Sequence, residues 1–592
     1  MLNVSIFCGG TGSIALQTGF KDVFGYGRYR LNVIINAYDN GKSTGMCRRA
    51  FRNAILGPSD LRKNHITSFR MKYSNEVAEE GSYHERLLKL FEMRIDGDNA
   101  ENYWSKAYDV LQNADFLDDA IRTELTGYVR RFIYGNWQTV KSESFKDVAL
   151  SNIFYAQCAH EKGDSLSKAG TRIAEILEIE DNVHLASDIS LILKARTQSG
   201  FIIKDEGEIV DWCRPDDRIV ETFFIDPATG MERIPSIDEG NSFQRVQKVV
   251  KESDIIIFSS GTQWSSLIPT YAHAGFEEMI KASKAKKYLV MNNIPDKDMP
   301  EIPSNEVLDV LQQYLPLEDI TVIFNDNASM EMKINDLCNA GRCISGDLGL
   351  PGFKTHNPRK LIQFIMNDYF GLRKTDVIIS DLDGTMIDAR GDAETRKLGE
   401  ENVALFNGII LTGNTCSHVW ENVKLHSAID IYCDYGTRRV LEDHSVPIVG
   451  EEAKIEQEFI VELMMRPEFK DRIHSRNGDD FILTIKPLYH REERLKLVER
   501  LIARNGADCK AVIAGATTID VMRSSCSKMT SLMTIMELHS LLPANIFYIG
   551  NEFRNADGND WCIRQFGIRT YCVNGIEEFN NIIRLHRMNL VE

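Results

Sequence analysis

The sequence predicts an α/β chain in which one doubly wound parallel sheet is followed by another. Three observations carry that expectation. Short apolar runs, such as residues 2–7, 31–37 and 377–379, end in Gly, Asp, Ser or Thr, as buried parallel strands do. Stretches with apolar residues at helical spacing, such as 361–370 and 491–505, lie between such runs. A length of 592 residues exceeds what one hydrophobic core fills, so more than one domain is expected.

Residues 2–7 alternate into a first strand, and Cys8-Gly9-Gly10-Thr11-Gly12-Ser13 then turns toward a helix. That order aims backbone N–H groups at a phosphate. The spacing is not GxGxxG, so the dinucleotide fingerprint fails, and a plain tight turn explains the glycines equally well. The strand at 31–37 delivers Asp39-Asn40-Gly41-Lys42-Ser43-Thr44-Gly45. A Walker loop is rejected, because the glycine it needs is replaced by Asn36 inside the strand. What remains is a polar loop at a strand end, the usual ligand position of a doubly wound sheet. Soon after, Gly57-Pro58-Ser59-Asp60-Leu61-Arg62-Lys63-Asn64 brings two cations, of which Arg62 suits bidentate phosphate contact. Its bland alternative is a surface ion pair with Asp60. Another apolar strand from 255 ends in Ser259-Ser260-Gly261-Thr262, followed by Ser265. Those hydroxyls fit a second phosphate or a sugar, or else cap a helix.

The third informative stretch is 377–388, VIISDLDGTMID. Asp381 and Asp383 stand two apart, so extended backbone points both to one side. Two close carboxylates repel unless a cation sits between them, and Mg²⁺ favours such an all-oxygen setting. Asp381 is then placed to attack phosphorus, and Asp383 to protonate the leaving oxygen and activate water. A solvated Asp-Leu-Asp turn is the bland alternative.

Composition bounds the function. A formal net charge of −17 argues against nonspecific nucleic-acid binding and against anchoring on anionic membranes. No apolar run is long enough to span a bilayer, and the start MLNVSIFCGG reads as a strand rather than a signal peptide. A cytoplasmic location is expected. The 12 cysteines are scattered without CxxC repeats, so zinc is not expected and reduced thiols are.

Two family resemblances follow from these motifs. The Gly9–Gly12 turn, the Asp39–Gly45 loop and the Gly57–Asn64 turn resemble the 2-phospho-L-lactate transferase (CofD) family, above all its bacterial branch of YvcK-like gluconeogenesis factors. Asn152 in LSNIF and the strand-loop at 255–269 continue the likeness over about residues 1–350, with a helical insert at about 66–148. The resemblance implies a Rossmann-like site for a nucleoside-diphosphate-linked donor, built from Gly10, Thr11, Gly12, Asp39, Asn40, Ser43, Asp60, Arg62, Asn64, Asn152, Gly261, Thr262 and Ser265. The family often has an acidic pair where this chain has Asp39-Asn40.

Asp381-Leu382-Asp383-Gly384-Thr385 resembles the first motif of the haloacid dehalogenase superfamily, Thr412 after the strand at 407–411 its second, Lys528 its third, and the acidic stretch 546–560 its fourth. The resemblance implies a phosphatase with a Rossmannoid core over 374–592, a linker at 351–373 and an inserted α/β cap at about 417–522. Its catalytic set is Asp381, Asp383, Thr412 and Lys528, and its Mg²⁺ ligands come from Asp381, Asp383, Asn551, Glu552 and Asp560. Asn551 stands where the superfamily has Asp. Asp557 is a further candidate for the missing charge, and Arg438, Arg439 and His490 for cap contacts.

The leading expectation is a bifunctional enzyme: a donor-binding domain that transfers a phosphoryl-linked group, joined to a Mg²⁺-dependent phosphatase for a small organic or sugar phosphate. The alternative is a nucleotide-sugar sensor regulating the phosphatase or a partner. Aromatic residues of the insert, including Tyr103, Trp104, Phe132, Tyr134 and Trp137, read as core or as the interface of a homo-oligomer.

Overall fold

The computed structural model divides into two compact units, Met1–Ile365 and Met366–Glu592. It describes all residues except 11, 238, 240, 334–340, 350–351, 389, 424–428, 443, 477, 479, 487–489, 515–517, 554–559 and 592, and only the backbone at 42, 241, 242, 491, 514, 565 and 591. Thr11 and Asp557 thus lie outside the described residues. No helix is long and apolar enough to cross a membrane among those described.

The first unit is organised by a seven-stranded sheet. Its strands are β1 (Leu2–Cys8), β2 (Tyr29–Ile35), β3 (Val183–Leu185), β4 (Ile255–Phe258), β5 (Lys286–Val290), β6 (Ile320–Asn325) and β7 (Arg342–Gly346). They lie in the order β7-β6-β5-β4-β1-β2-β3, and every pairing is parallel. The central strands β4 and β6 are buried at every position, because helices cover both faces of such a sheet. Phe7 stacks on Phe258 across the β1–β4 pair, with centroids 5.2 Å apart, and meets the edge of Phe276. Strand order reverses between β1 and β4, which opens a crevice at their carboxyl ends.

Three helices follow the first two strands: α1 (Ser13–Phe24), α2 (Lys42–Ala50) and α3 (Ser59–Lys72). The insertion after them holds α4 (Tyr83–Glu92), α5 (Ala100–Gln112) and α6 (Asp119–Gly135) and closes on α7 (Leu150–Glu161). Side chains of Ser82, Asn99 and Asp118 cap its three helices. Tyr103 and Phe132 are core residues there, whereas Tyr134 is half exposed. An antiparallel sheet of Ile192–Thr197, Ile202–Ile203 and Ile219–Ile225, which the sequence reading did not separate, lies between β3 and β4 in the chain. Past β7 the chain enters α8 (Pro358–Phe370).

The second unit has its own seven-stranded sheet. It comprises β8 (Val377–Ser380), β9 (Gly408–Leu411), β10 (Ile429–Cys433), β11 (Arg438–Val440), β12 (Ser445–Pro447), β17 (Ile546–Gly550) and β18 (Arg569–Cys572). The order is β12-β11-β10-β9-β8-β17-β18, parallel except for the two pairings at the β12 edge. Here too the first strand in sequence is an interior one, and the loops after β8 and β17 flank the reversal point. Residues 429–447, assigned to the cap in the sequence reading, instead extend this core sheet. The inserted layer comes later. It is the antiparallel sheet of β13 (Ile473–Ser475), β14 (Ile482–Ile485), β15 (Cys509–Ala514) and β16 (Thr518–Arg523), in the order β13-β14-β16-β15. Helix α11 (Arg491–Asn505) shares its apolar core, which includes Leu483, Val498 and Val521. Core helices are α9 (Ala393–Leu405), α10 (Cys416–Asn422), α12 (Lys528–Leu538) and α13 (Ile576–Val591).

Removing the Phe7 ring leaves a void against three aromatic neighbours, Phe258, Tyr271 and Phe276. Phe7→Ala is expected to cost about 3–5 kcal/mol, read as an earlier urea unfolding transition of the first unit.

Candidate functional site

In the first unit, a cavity of about 640 Å³ opens at the β1–β4 reversal. Gly10, Gly12, Gly261 and Thr262 line it, as the sequence reading grouped them. Gly12 is where the two loops touch: a Cβ there would sit 2.3 Å from the Ser260 carbonyl oxygen. Only a bare backbone fits. Gly10 in turn abuts the Asp60 carboxylate, whose Oδ1 is 2.2 Å from the position a Cβ would take. Asp60 therefore joins the glycine turn to the loop after β2.

That second loop gathers three carboxylates. Asp39 accepts the Gly41 N–H at 2.8 Å through Oδ1. Glu206, which the sequence reading missed, approaches Asp39 and accepts the Asn40 N–H. Burial, reinforced by Asp39 and Asp60, pushes the Glu206 carboxyl up to about 9. Burial also raises Asp60, although Lys63 pairs with it at 3.2 Å. Around these acids stand polar atoms with no partner: Asn40 Oδ1, Asn152 Oδ1 and Arg62 Nε. Asn152 is 1% exposed and donates to Ser43 Oγ at 3.2 Å. Arg62 is 7% exposed and its guanidinium makes no hydrogen bond or ion pair with any described residue; burial lowers its pKa. The surface pair with Asp60 considered above is not what the structure shows.

Two expected contact residues are otherwise engaged. Asn64 Oδ1 accepts from Ser13 Oγ and Gln17 Nε2, at 2.7 and 2.8 Å, while its Nδ2 donates to the Asp60 carbonyl. It ties α1 to α3 and has nothing left for a ligand. Ser265 donates both its N–H and its Oγ–H to Asp298, 2% exposed itself, and so braces the loop rather than facing the cavity.

In the second unit, Asp381 ends β8 with its N–H bonded to the Ile549 carbonyl of β17. Lys528, at the start of α12, donates to Asp381 Oδ1 and to Asp560 Oδ1, both at 2.7 Å. Tyr548 O–H donates to the same Asp560 oxygen, and the Glu552 N–H to its other one. Burial pushes the Asp381 carboxyl up to about 7 against the pull of Lys528. For Lys528, burial acts downward, but the two carboxylates outweigh it and hold the ammonium charged. Thr412 follows β9, the strand beside β8; its Oγ1 accepts the Asn414 N–H. Asp383 is held by residues outside the expected set: His418 Nε2 lies 2.9 Å from Oδ1, and Asn414 Nδ2 donates to Oδ2. Asp383 raises the His418 pKa.

The fourth motif differs from its expected role. Asp560 has Lys528, Tyr548 and the Glu552 N–H as partners, so it anchors the lysine, and the Glu552 side chain is exposed. Asn551 donates to the Asp383 carbonyl at 3.3 Å, while its Oδ1 is buried without a partner. An orphaned amide oxygen beside a carbonyl and near Asp381 fits a hard divalent cation. Gly384, at φ +74°, is required here, since a Cβ would lie 2.2 Å from Asn551 Nδ2. Of the cap candidates, Arg438 bonds to Ser445, Arg439 pairs with Asp430, and His490 is exposed. Arg476 reaches the core instead, bonding to Gly413 O, Asp434 and Asp520. Cys416 and Cys433 are joined as a disulfide, contrary to the reduced state expected for every thiol.

Comparison with known proteins bears mainly on the first unit. A protein of Aquifex aeolicus is 23% identical over 291 residues, covering 49% of this chain and 67% of its own. Gluconeogenesis factors of Listeria innocua and Bacillus subtilis are 24% and 23% identical, over 49% and 48% of this chain and 66% of each relative. The chain thus spans about two thirds of the length of the curated relatives it matches. Among solved structures, a UPF0052-family protein of Bacillus halodurans covers 62% of the chain and 98% of its own, at 17% identity and TM-score 0.44. A sucrose-phosphatase of Synechocystis, solved with sucrose and phosphate, covers 34% of this chain and 83% of its own, at 12% identity and TM-score 0.26. The family model of 2-phospho-L-lactate transferase CofD matches residues 4–336, and the chain belongs to that family.

Proposed function

We propose that the protein is a bifunctional enzyme whose second unit hydrolyses a small organic or sugar phosphate through an aspartyl-phosphate. The observation that carries this reading is the buried lysine bridging Asp381 and Asp560, with Asp383 held alongside by His418 and Asn414. An Asp381 oxygen forms the new bond to phosphorus as the bond to the leaving oxygen breaks, and Asp383 gives that oxygen its proton. Asp383 then takes a proton from water, which attacks the acyl phosphate, releases inorganic phosphate and restores Asp381. Lys528 offsets phosphate charge in both steps, and His418 orients Asp383. Mg²⁺ would be held by Asp381, the Asp383 carbonyl and Asn551 Oδ1, and would neutralise charge on the phosphoryl oxygens.

The first unit binds a nucleoside-diphosphate-linked donor and moves its phosphoryl-linked group to an acceptor. Arg62, unpaired and buried, is the anion partner, and Asp39, Asp60 and Glu206 supply the carboxylates for a cation or an acceptor proton. Glu206 makes up for the acid absent at Asn40. Binding without transfer, as in a sensor, is the second reading; Asn40 in place of an acid favours it.

Three outcomes test these assignments. Hydrolysis of p-nitrophenyl phosphate with Mg²⁺ should fall by about three orders of magnitude or more in Asp381→Asn; an unchanged rate would refute the nucleophile. Arg62→Ala removes a charged contact worth about 1.5–3 kcal/mol, so calorimetry with GDP and UDP should show about tenfold to hundredfold weaker binding. Glu206 carries its proton to about pH 9 when folded, against an ordinary value of 4.5. Between those values the unfolded chain releases a proton that the folded chain retains, so stability is present below 4.5 and drains as pH rises. Glu206→Gln should therefore raise the melting temperature more at pH 8 than at pH 5, and an equal shift at both would contradict this.

A further inference from the structure

The cavity of the first unit has a wall that the family match does not include. The match ends at residue 336, yet Lys354, Thr355, His356 and Pro358 line the same cavity as the glycine turn. We infer that this segment is part of the binding site, and that Lys354 and His356 contact the anionic portion of a nucleoside-diphosphate-type ligand held by the glycine loops. The inference rests on the nucleotide reading of the first unit and adds to it the residues that close the site.

His356 is the strongest sign. It is 3% exposed, and its Nε2 has no hydrogen-bond partner. A buried polar atom left so is costly, and a ligand oxygen or hydroxyl in the cavity would satisfy it. Burial lowers the imidazole pKa to about 4, so the ring contributes as a neutral hydrogen-bonding group. Charge comes from the rim. Lys354 and Lys297 are exposed side chains on the cavity lining, the latter with only a 3.6 Å surface pair to Asp211. Asp296 lies beside them, but burial raises its carboxyl well above the ordinary range, so it opposes an anion weakly. In a chain of net charge −17, two lysines and a neutral imidazole on the same cavity lining as a glycine turn form a local exception that suits a phosphate.

The wall is also held in place without a ligand. The Asn357 N–H donates to the Leu348 carbonyl at 2.7 Å, and Asn357 Oδ1 accepts the Lys360 N–H in the first turn of α8. Gly19 of α1 packs on the Pro358 carbonyl, 2.3 Å from where a Cβ would stand. The cavity's 640 Å³ lies within the range of nucleotide-sized sites, roughly 300–1,000 Å³.

Titration calorimetry of the full chain with GDP, UDP and pyrophosphate tests this. Lys354→Ala, an exposed position with little bearing on folding, should weaken nucleotide and pyrophosphate binding at least fivefold. His356→Gln, chosen to keep a polar group in the same space, should weaken the nucleotides similarly. If both variants bind within twofold of the parent while Arg62→Ala loses binding, the wall is not part of the site and the nucleotide reading stands. If the parent binds none of the three probes, the nucleotide reading itself falls, and this inference with it.

Discussion

The second unit depends on one buried cation. Lys528 has no exposed side-chain surface and lies between two carboxylates, each 2.7 Å away. Neither acid could stay charged at that depth alone, since an unpaired buried charge costs several kcal/mol. The lysine arrives from the first turn of α12, where Ser527 and Thr530 form a reciprocal cap that sets the helix start. Asp381 directly follows β8, while Asp560 comes from the segment after β17, just ahead of the short helix Trp561–Phe566. Lys528 thus ties a helix terminus to two loops, and the position of each is defined by the same ammonium group.

In the first unit the equivalent constraint is steric. The turn after β1 and the loop after β4 meet backbone to backbone at Gly12, and the Asp60 carboxylate fills the space beside Gly10. Close approach brings both loops to one crevice, with the Asp60 carboxylate beside it. The same geometry explains why Glu206 and Asp60 are both raised: burial disfavours the charged form, and neighbouring carboxylates add to it.

Much of this was legible in the sequence, for stated reasons. Strand ends announce themselves by an apolar run breaking into Gly, Asp, Ser or Thr, which singles out Gly10, Gly12, Asp39 and Asp381 by position, whereas Lys528, ahead of a helical run, is legible only through its resemblance to a family motif. Residues whose role depends on a distant partner were not. Glu206 begins a short helix far along the chain from Asp39, with no motif around it, and only folding brings the two acids together. His418 and Asn414 follow Thr412 closely, and a polar pair at the start of a helix after a catalytic strand could have been noticed. Asn64 and Ser265 were misread because a polar side chain beside a glycine loop looks the same in sequence whether it faces a ligand or braces the loop. The core strands at 429–447 were hidden because short edge strands carry little apolar pattern.

The Arg476 network bears on how the inserted layer is fastened to the core sheet. Its guanidinium, rooted in β13 of the inserted layer, bonds to Gly413 O beside Thr412, to Asp434, and to Asp520, which also accepts from Tyr435. Asp520 belongs to the same layer, in β16, so the bonds that cross to the core sheet are those of Arg476 to Gly413 O and Asp434 and of Tyr435 to Asp520, between charged groups all but sealed from water. Desolvated charge thus fastens the layer alongside the apolar cluster of Tyr435, Phe481, Ile482 and Met522, and dissolved salt, which screens buried pairs far less than exposed ones, has little purchase on it.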